Sequence, residues 1–167
     1  TGVDEYTPSE TNLDLSAGAF GVAASCASGY EGTAVATACT ESGAYSLSGC
    51  SPIVCTTPTD TLGYTTPTEI NLDLSMFAFS VTSACAVGYS GSATVSPCMG
   101  SGEYTLSGCD PIVCARPLFV RGYTTDEANL DLTAGPFAVT ATCAAGFEGT
   151  ATASACLTAG GEYGLSG

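Results

Sequence analysis

Apolar residues recur at every second position ahead of three cysteines: Phe20, Val22 and Ala24 before Cys26; Phe77, Phe79 and Val81 before Cys85; Phe137, Val139 and Ala141 before Cys143. A period of two marks a strand with one buried face, so each run predicts a half-buried strand entering a disulfide. A second alternating run follows each, Thr33 to Cys39 and its counterparts from Ser92 and Thr150, with small alanines opposite hydroxyl residues. That composition suits a strand packed closely against another backbone. The Leu13 and Leu15, Leu72 and Leu74, and Leu130 and Leu132 pairs predict a third strand, leucines inward and the intervening Asn and Asp outward. Frequent Gly and Pro, with no sustained 3.6-residue pattern, leave little room for helix, and the predicted class is all-β.

These runs belong to a repeat present in three copies. Its anchors are Asn12-Leu-Asp-Leu15, Asn71-Leu-Asp-Leu74 and Asn129-Leu-Asp-Leu132, followed by Cys26-Ala-Ser-Gly-Tyr-Glu-Gly, Cys85-Ala-Val-Gly-Tyr-Ser-Gly and Cys143-Ala-Ala-Gly-Phe-Glu-Gly. Each copy closes on Tyr-x-Leu-Ser-Gly, at Tyr45, Tyr104 and Tyr163, and the links Ser51-Pro-Ile-Val54 and Asp110-Pro-Ile-Val113 join the copies. The predicted organisation is a tandem of small disulfide-stapled β-modules at 1–50, 51–109 and 110–167. The first lacks its opening cysteine and the third its closing one, so the expectation is a stretch of a longer array.

The chain has ten cysteines and no C-x-x-C pair, which points to an oxidising compartment and a secreted or cell-surface location rather than to zinc. A module of about 59 residues is marginal on hydrophobic burial alone, so staples are expected. Two disulfides contribute about 3 to 4 kcal/mol apiece on the loop-entropy account. Spacing does not choose among the three pairings that four cysteines allow. The opening residues show no signal peptide, so any targeting segment is expected to have been removed or to lie outside the sequence.

The complete set Cys55, Cys85, Cys98 and Cys109, with Gly-Tyr after the second cysteine and an aromatic before the fourth, resembles the sushi, or complement control protein, module. Two departures stand out: tyrosines 45, 104 and 163 replace the family's tryptophan, and the modules carry far fewer charges. The resemblance implies first-to-third and second-to-fourth pairing, that is Cys55 with Cys98, Cys85 with Cys109, Cys114 with Cys156 and Cys26 with Cys50. It leaves Cys39 and Cys143 unpaired within the sequence, or paired between subunits.

Charge then narrows the function. Sixteen acids stand against two arginines, with no histidine and no lysine. Nucleic acid is excluded as a partner, because phosphate binding needs clustered Lys and Arg. A Ser-His-Asp or Cys-His centre cannot be built, nor can a lysine Schiff base. The acids read as recurring in every module are Asp14, Asp73 and Asp131, one per module, which gives no carboxylate pair for glycoside chemistry and too few oxygens for calcium. They are expected to lie on the surface or to cap turns. No catalytic residue, metal or cofactor is predicted, and no run of about 18 apolar residues predicts a membrane span.

Tyr30, Tyr89 and Phe147, in the turns after the second cysteine, are expected to pack in the core beside a disulfide rather than to form a binding surface. Thr7, Ser9, Thr57, Thr59, Thr66 and Thr68 flank prolines and are candidate O-glycan sites, whereas no Asn-x-Ser/Thr sequon occurs. Charged residues make up 11% of the chain against 45% apolar, so neighbouring copies or sugar are expected to cover the surface. The expected function is a non-enzymatic, self-associating component of an extracellular filament, coat or matrix. The alternative is an adhesive or ligand-binding ectodomain reading a protein or glycan, with Arg116, Arg121 and Phe119 of the third module as its partner patch.

Overall fold

The computed structural model describes residues 5–76 and 78–167, and among them the chain is all-β, with no α-helix and hence none long and apolar enough to cross a membrane. The first repeat contributes β1 (Tyr6–Asn12), β2 (Gly21–Cys26), β3 (Tyr30–Thr37) and β4 (Ser46–Pro52). The second contributes β5 (Cys55–Thr56), β6 (Thr68–Asn71), β7 (Ser80–Thr82), β8 (Tyr89–Ser96), β9 (Gly102–Glu103) and β10 (Thr105–Pro111). The third contributes β11 (Tyr123–Asn129), β12 (Ala138–Cys143), β13 (Thr152–Ser154) and β14 (Gly164–Ser166). All of them pair as two-stranded ribbons: β1 with β2, β3 with β4, β5 with β9, β6 with β7, β8 with β10, β11 with β12 and β13 with β14. Phe77 lies outside the described residues.

Two of the three predicted strands form where the alternation places them. Val22, Ala24 and Cys26 of β2 are half-buried while Ala23 and Ser25 are exposed. In the middle repeat this strand shortens to Ser80–Thr82, and Cys85 is held by a single bridge to Tyr64. The alanine-rich run forms β3, which pairs antiparallel with the closing motif. The close packing has a backbone cause: Gly32 and Gly49 both have positive φ, and a Cβ on either would collide with a carbonyl of the opposite strand. Gly91 and Gly108 repeat this crossing in the second copy. The recurring glycines of the two motifs thus mark one bulged contact, where the register shifts between Gly32 and Val35.

The third predicted strand is corrected. The pairing strand is the preceding segment, β1, which stops at Asn12, and Leu13 to Leu15 enter the reversal that leads back to β2. The Asn and Asp side chains cause this: the Asp14 N–H donates to Asn12 Oδ1 at 3.1 Å, and Asn12 Nδ2 donates to the Ala19 carbonyl at 2.8 Å. Such local bonds offer the backbone an alternative to a ladder. In the first repeat Leu13 and Leu15 are about half exposed, at 51% and 48%, rather than inward, whereas Leu72, Leu74, Leu130 and Leu132 are half-buried and the last two pack against the second core as expected.

The chain divides into two compact units, one of Thr1–Thr59, Glu69–Val81 and Ser96–Thr105, the other of Asp60–Thr68, Thr82–Val95 and Leu106–Gly167. The middle repeat contributes to both. Among the described residues the buried apolar side chains fall into two matching sets, Ile53, Cys55, Cys98 and Tyr104 in one unit and Ile112, Cys114, Cys156 and Tyr163 in the other. Each set is a link isoleucine, one disulfide and the tyrosine of the closing motif. Leu130, Leu132, Phe137, Val139 and Leu165 pack around the second set. The tyrosine rings meet a phenylalanine ring edge-on or tilted in every repeat, Phe20 with Tyr45, Phe79 with Tyr104 and Phe137 with Tyr163, at centroid separations of 5.9, 5.8 and 5.9 Å.

Four disulfides close the framework: Cys26–Cys50, Cys55–Cys98, Cys85–Cys109 and Cys114–Cys156. Cys39 and Cys143 are free thiols, both half-buried. The Cys55 bridge spans 43 residues, a loop whose closure is worth about 4 kcal/mol on the chain-entropy account. Because Tyr104 is 1% exposed whereas Tyr45 is only half-buried, Tyr104→Ala is expected to cost about 3 to 5 kcal/mol of unfolding free energy. Tyr45→Ala is expected to cost clearly less; urea denaturation of the two variants measures the difference.

Candidate functional site

The arrangement that recurs with the same partners is the junction between one repeat and the next, and each compact unit contains one. In the first, the Gly29 carbonyl accepts the Ile53 N–H at 2.8 Å, the Ile53 carbonyl accepts the Leu74 N–H at 3.0 Å, and the Leu72 carbonyl accepts the Cys55 N–H at 2.9 Å. In the second, Gly88 accepts from Ile112 at 2.8 Å, Ile112 from Leu132 at 2.9 Å, and Leu130 from Cys114 at 2.9 Å. The link is thus laid antiparallel against the Leu-Asp-Leu segment, Val54 opposite Asp73 and Val113 opposite Asp131. Its far side runs parallel to the residues before the buried tyrosine, Cys55 beside Gly102 and Ala115 beside Glu162. Four residues of Pro-Ile-Val-Cys therefore fill a slot between two backbones.

Side chains brace the slot. The Glu31 carboxylate accepts the Ser101 N–H at 3.1 Å, and Ser101 Oγ accepts the Val54 N–H at 3.2 Å. The bond from Ser101 holds the Glu31 carboxyl below its ordinary range. In the second unit Ser90 Oγ takes the corresponding place and accepts the Ala159 N–H at 3.0 Å. Gly29 and Gly88 have φ of 85° and 87°, and a Cβ there would press on the Leu74 and Leu132 carbonyls, the latter at 2.7 Å. The Gly of the Gly-Tyr pair is required by the neighbouring repeat.

The recurring aspartates cap the reversal. Asp14, Asp73 and Asp131 each accept the N–H and the hydroxyl of the residue two positions on, Ser16, Ser75 and Thr133, at 2.6 to 2.9 Å. Those bonds hold the three carboxyls below the usual aspartate range, the hydroxyl contributing most. A second recurring acid escaped the sequence reading. Glu10, Glu69 and Glu127, two positions before each anchor asparagine, accept the Tyr45, Tyr104 and Tyr163 hydroxyls at 2.6, 2.8 and 2.7 Å. Their fixed offset from the asparagine was the available signal. Burial, and then the Glu69 bond and charge, push the Tyr104 phenol up to about 12.

The expectation for the turn aromatics is also corrected. Tyr30 and Tyr89 are half-buried and Phe147 is 52% exposed, so none is among the buried side chains. Tyr89 instead lies over Gly63, and Phe147 over Gly122, because those glycines present bare backbone to the ring. Of the partner patch, Phe119 is 91% exposed and Arg121 is exposed, but Arg116 turns to Glu127 with Nε 3.7 Å from Oε1. Thr7, Ser9, Thr57, Thr59, Thr66 and Thr68 are all exposed, with the Thr57 hydroxyl donating to Glu69 at 2.7 Å. No protein family, curated protein or solved structure matches the chain.

Two outcomes are expected. Gly88→Ala, at a φ of 87°, should lose more stability than Gly146→Ala, which has a closely similar φ of 85° but no neighbour within 4 Å. The Gly146 change then carries only the left-handed backbone cost of about 1 to 2 kcal/mol, while Gly88→Ala adds the collision with Leu132; equal urea midpoints would contradict the junction's constraint. In an alkaline absorbance titration of the eight tyrosines, Tyr104 should ionise last, near pH 12, and Tyr104→Phe should remove that step. Because the folded-state value lies above the ordinary 10, this phenol's contribution to stability is complete below pH 10 and is lost as pH rises through about 12.

Proposed function

We propose that the chain is a stretch of a non-enzymatic structural array outside the cell, of the kind that builds a filament, surface coat or matrix. The observation that carries this reading is the twice-built junction: two successive links seat on two successive repeats through the same three backbone bonds. A unit that seats its neighbour in one fixed way is suited to serial extension, with the slot limiting bending at each link. The four disulfides fit an oxidising environment and resistance to proteolysis and extension. Two-stranded ribbons leave outer edges for association between chains, and copies of the same chain are the partners proposed for them. Sugars on the exposed threonines and serines beside prolines cover part of the remaining surface.

The disulfide order and the aromatic before each closing cysteine support a sushi-like module, carried here into a scaffold rather than a reader of ligands. A specific feature favours a second reading: Leu118 and Phe119 stand exposed only in the third repeat, where the second has Thr59 and Asp60. That patch suits an adhesive ectodomain binding a protein or glycan. Negative-stain electron microscopy of the native, unreduced protein, with its intact mass, separates the two. Regular filaments carrying hexose-sized mass increments are the expected result; dispersed particles at high concentration would overturn the array and leave the Phe119 patch as the site to pursue.

A further inference from the structure

Among the described residues the first repeat presents the same slot in open form. Its counterparts to the residues that grip each link are Leu13 and Leu15, Gly43 and Tyr45, with Cys39 standing where Cys98 and Cys156 stand. In the second and third repeats the link isoleucine is 9% and 8% exposed, the tyrosine is buried, and the cysteine is bonded to the link. In the first repeat Leu13 and Leu15 are half exposed, Tyr45 is half-buried, and Cys39 is a thiol. Leu13, Asp14, Leu15, Ser16 and the stretch from Cys39 to Gly43 line one groove between them.

We infer that this groove is a receptor for a Pro-Ile-Val-Cys segment of another repeat, which adds antiparallel to Leu13–Leu15 and is locked by a disulfide to Cys39. The occupant is identified by the two counterpart grooves, which hold Pro52–Cys55 and Pro111–Cys114 of this chain. The contacts transfer one by one. The incoming isoleucine carbonyl takes the Leu15 N–H as Ile53 takes that of Leu74, and the incoming cysteine N–H meets the Leu13 carbonyl as Cys55 meets that of Leu72. The residue after the cysteine offers its carbonyl to the Tyr45 N–H as Thr56 does to Tyr104. The isoleucine side chain covers Leu13 and Leu15, and the apolar area it buries selects the segment over a polar one.

The covalent step is thiol–disulfide exchange. The Cys39 thiolate attacks the sulfur of an incoming cysteine that is carried as a mixed disulfide with a small thiol. The new S–S bond forms as the old one breaks, and the small thiol leaves as its thiolate, so no further oxidant is consumed. Cys143, the other free thiol, lies outside the groove and takes the position of Cys26 and Cys85 in its repeat. It is the internal control.

The inference rests on reading the chain as part of a repeat array, and its test reads the groove independently of filaments. The intact 167-residue chain is incubated in glutathione buffer with two competing peptides, both supplied as glutathione mixed disulfides. One is Ser-Pro-Ile-Val-Cys-Thr-Thr, the sequence of residues 51–57, and the other is its Ile53→Asp form. Mass mapping of the adducts is expected to show Cys39 taking the isoleucine peptide at least about tenfold over the aspartate peptide, and Cys143 taking both alike. A Leu13→Asp, Leu15→Asp variant, altered at exposed positions, is expected to lose the preference at Cys39 while Cys143 is unchanged. Equal capture at Cys39, no capture there, the same preference at Cys143, or a preference that survives in the variant would each overturn the inference. Selective capture by a protein that forms no filaments would keep the receptor groove and discard the filament.

Discussion

Each core of this protein is built from an isoleucine of the link, a disulfide and a tyrosine, and nearly everything else is arranged so that these can meet. Among the described residues neither core contains a buried polar or charged side chain. Only eight apolar side chains are buried among the described residues, too few for burial alone to offset the chain entropy, and the bridges spanning 42 and 43 residues limit the unfolded state instead. The tyrosine completes each core because its ring is held edge-on to a phenylalanine while its hydroxyl reaches out to a glutamate. That outward bond lets a polar ring be buried without an orphaned donor.

The junction follows from the same economy of apolar residues. Ile53 and Ile112 belong to the links, so a repeat completes its core only by accepting the segment that precedes its first cysteine. The Leu-Asp-Leu motif is the receiving surface, kept out of the hairpin ladder by the Asn and Asp side chains and thereby free to bond the link backbone. Gly29 and Gly88 complete the fit from the other side, where a side chain would meet a leucine carbonyl.

Much of this was legible in the residues. Alternation located β2 and β3 with their counterparts, and the cysteine pairs that the sushi resemblance implies are the pairs present. The Leu-Asp-Leu strand was misread because the alternation at Leu72–Leu74 and Leu130–Leu132 reflects docking of a link, not membership of a ladder; the polar Asn and Asp beside the leucines pull the backbone into a reversal. Tyr89 is only half-buried and Phe147 largely exposed for a related reason. Pattern identifies a motif aromatic but does not show whether a glycine elsewhere, such as Gly63 or Gly122, offers it a flat backbone to lie on. Glu10, Glu69 and Glu127 went unnoticed because their role depends on a tyrosine 35 or 36 residues away.

The compact units and the sequence repeats are out of step by about half a period, since the middle repeat is shared between both units. A change within the middle repeat therefore reaches both cores, whereas one in residues 1–50 or 110–167 stays within a single unit.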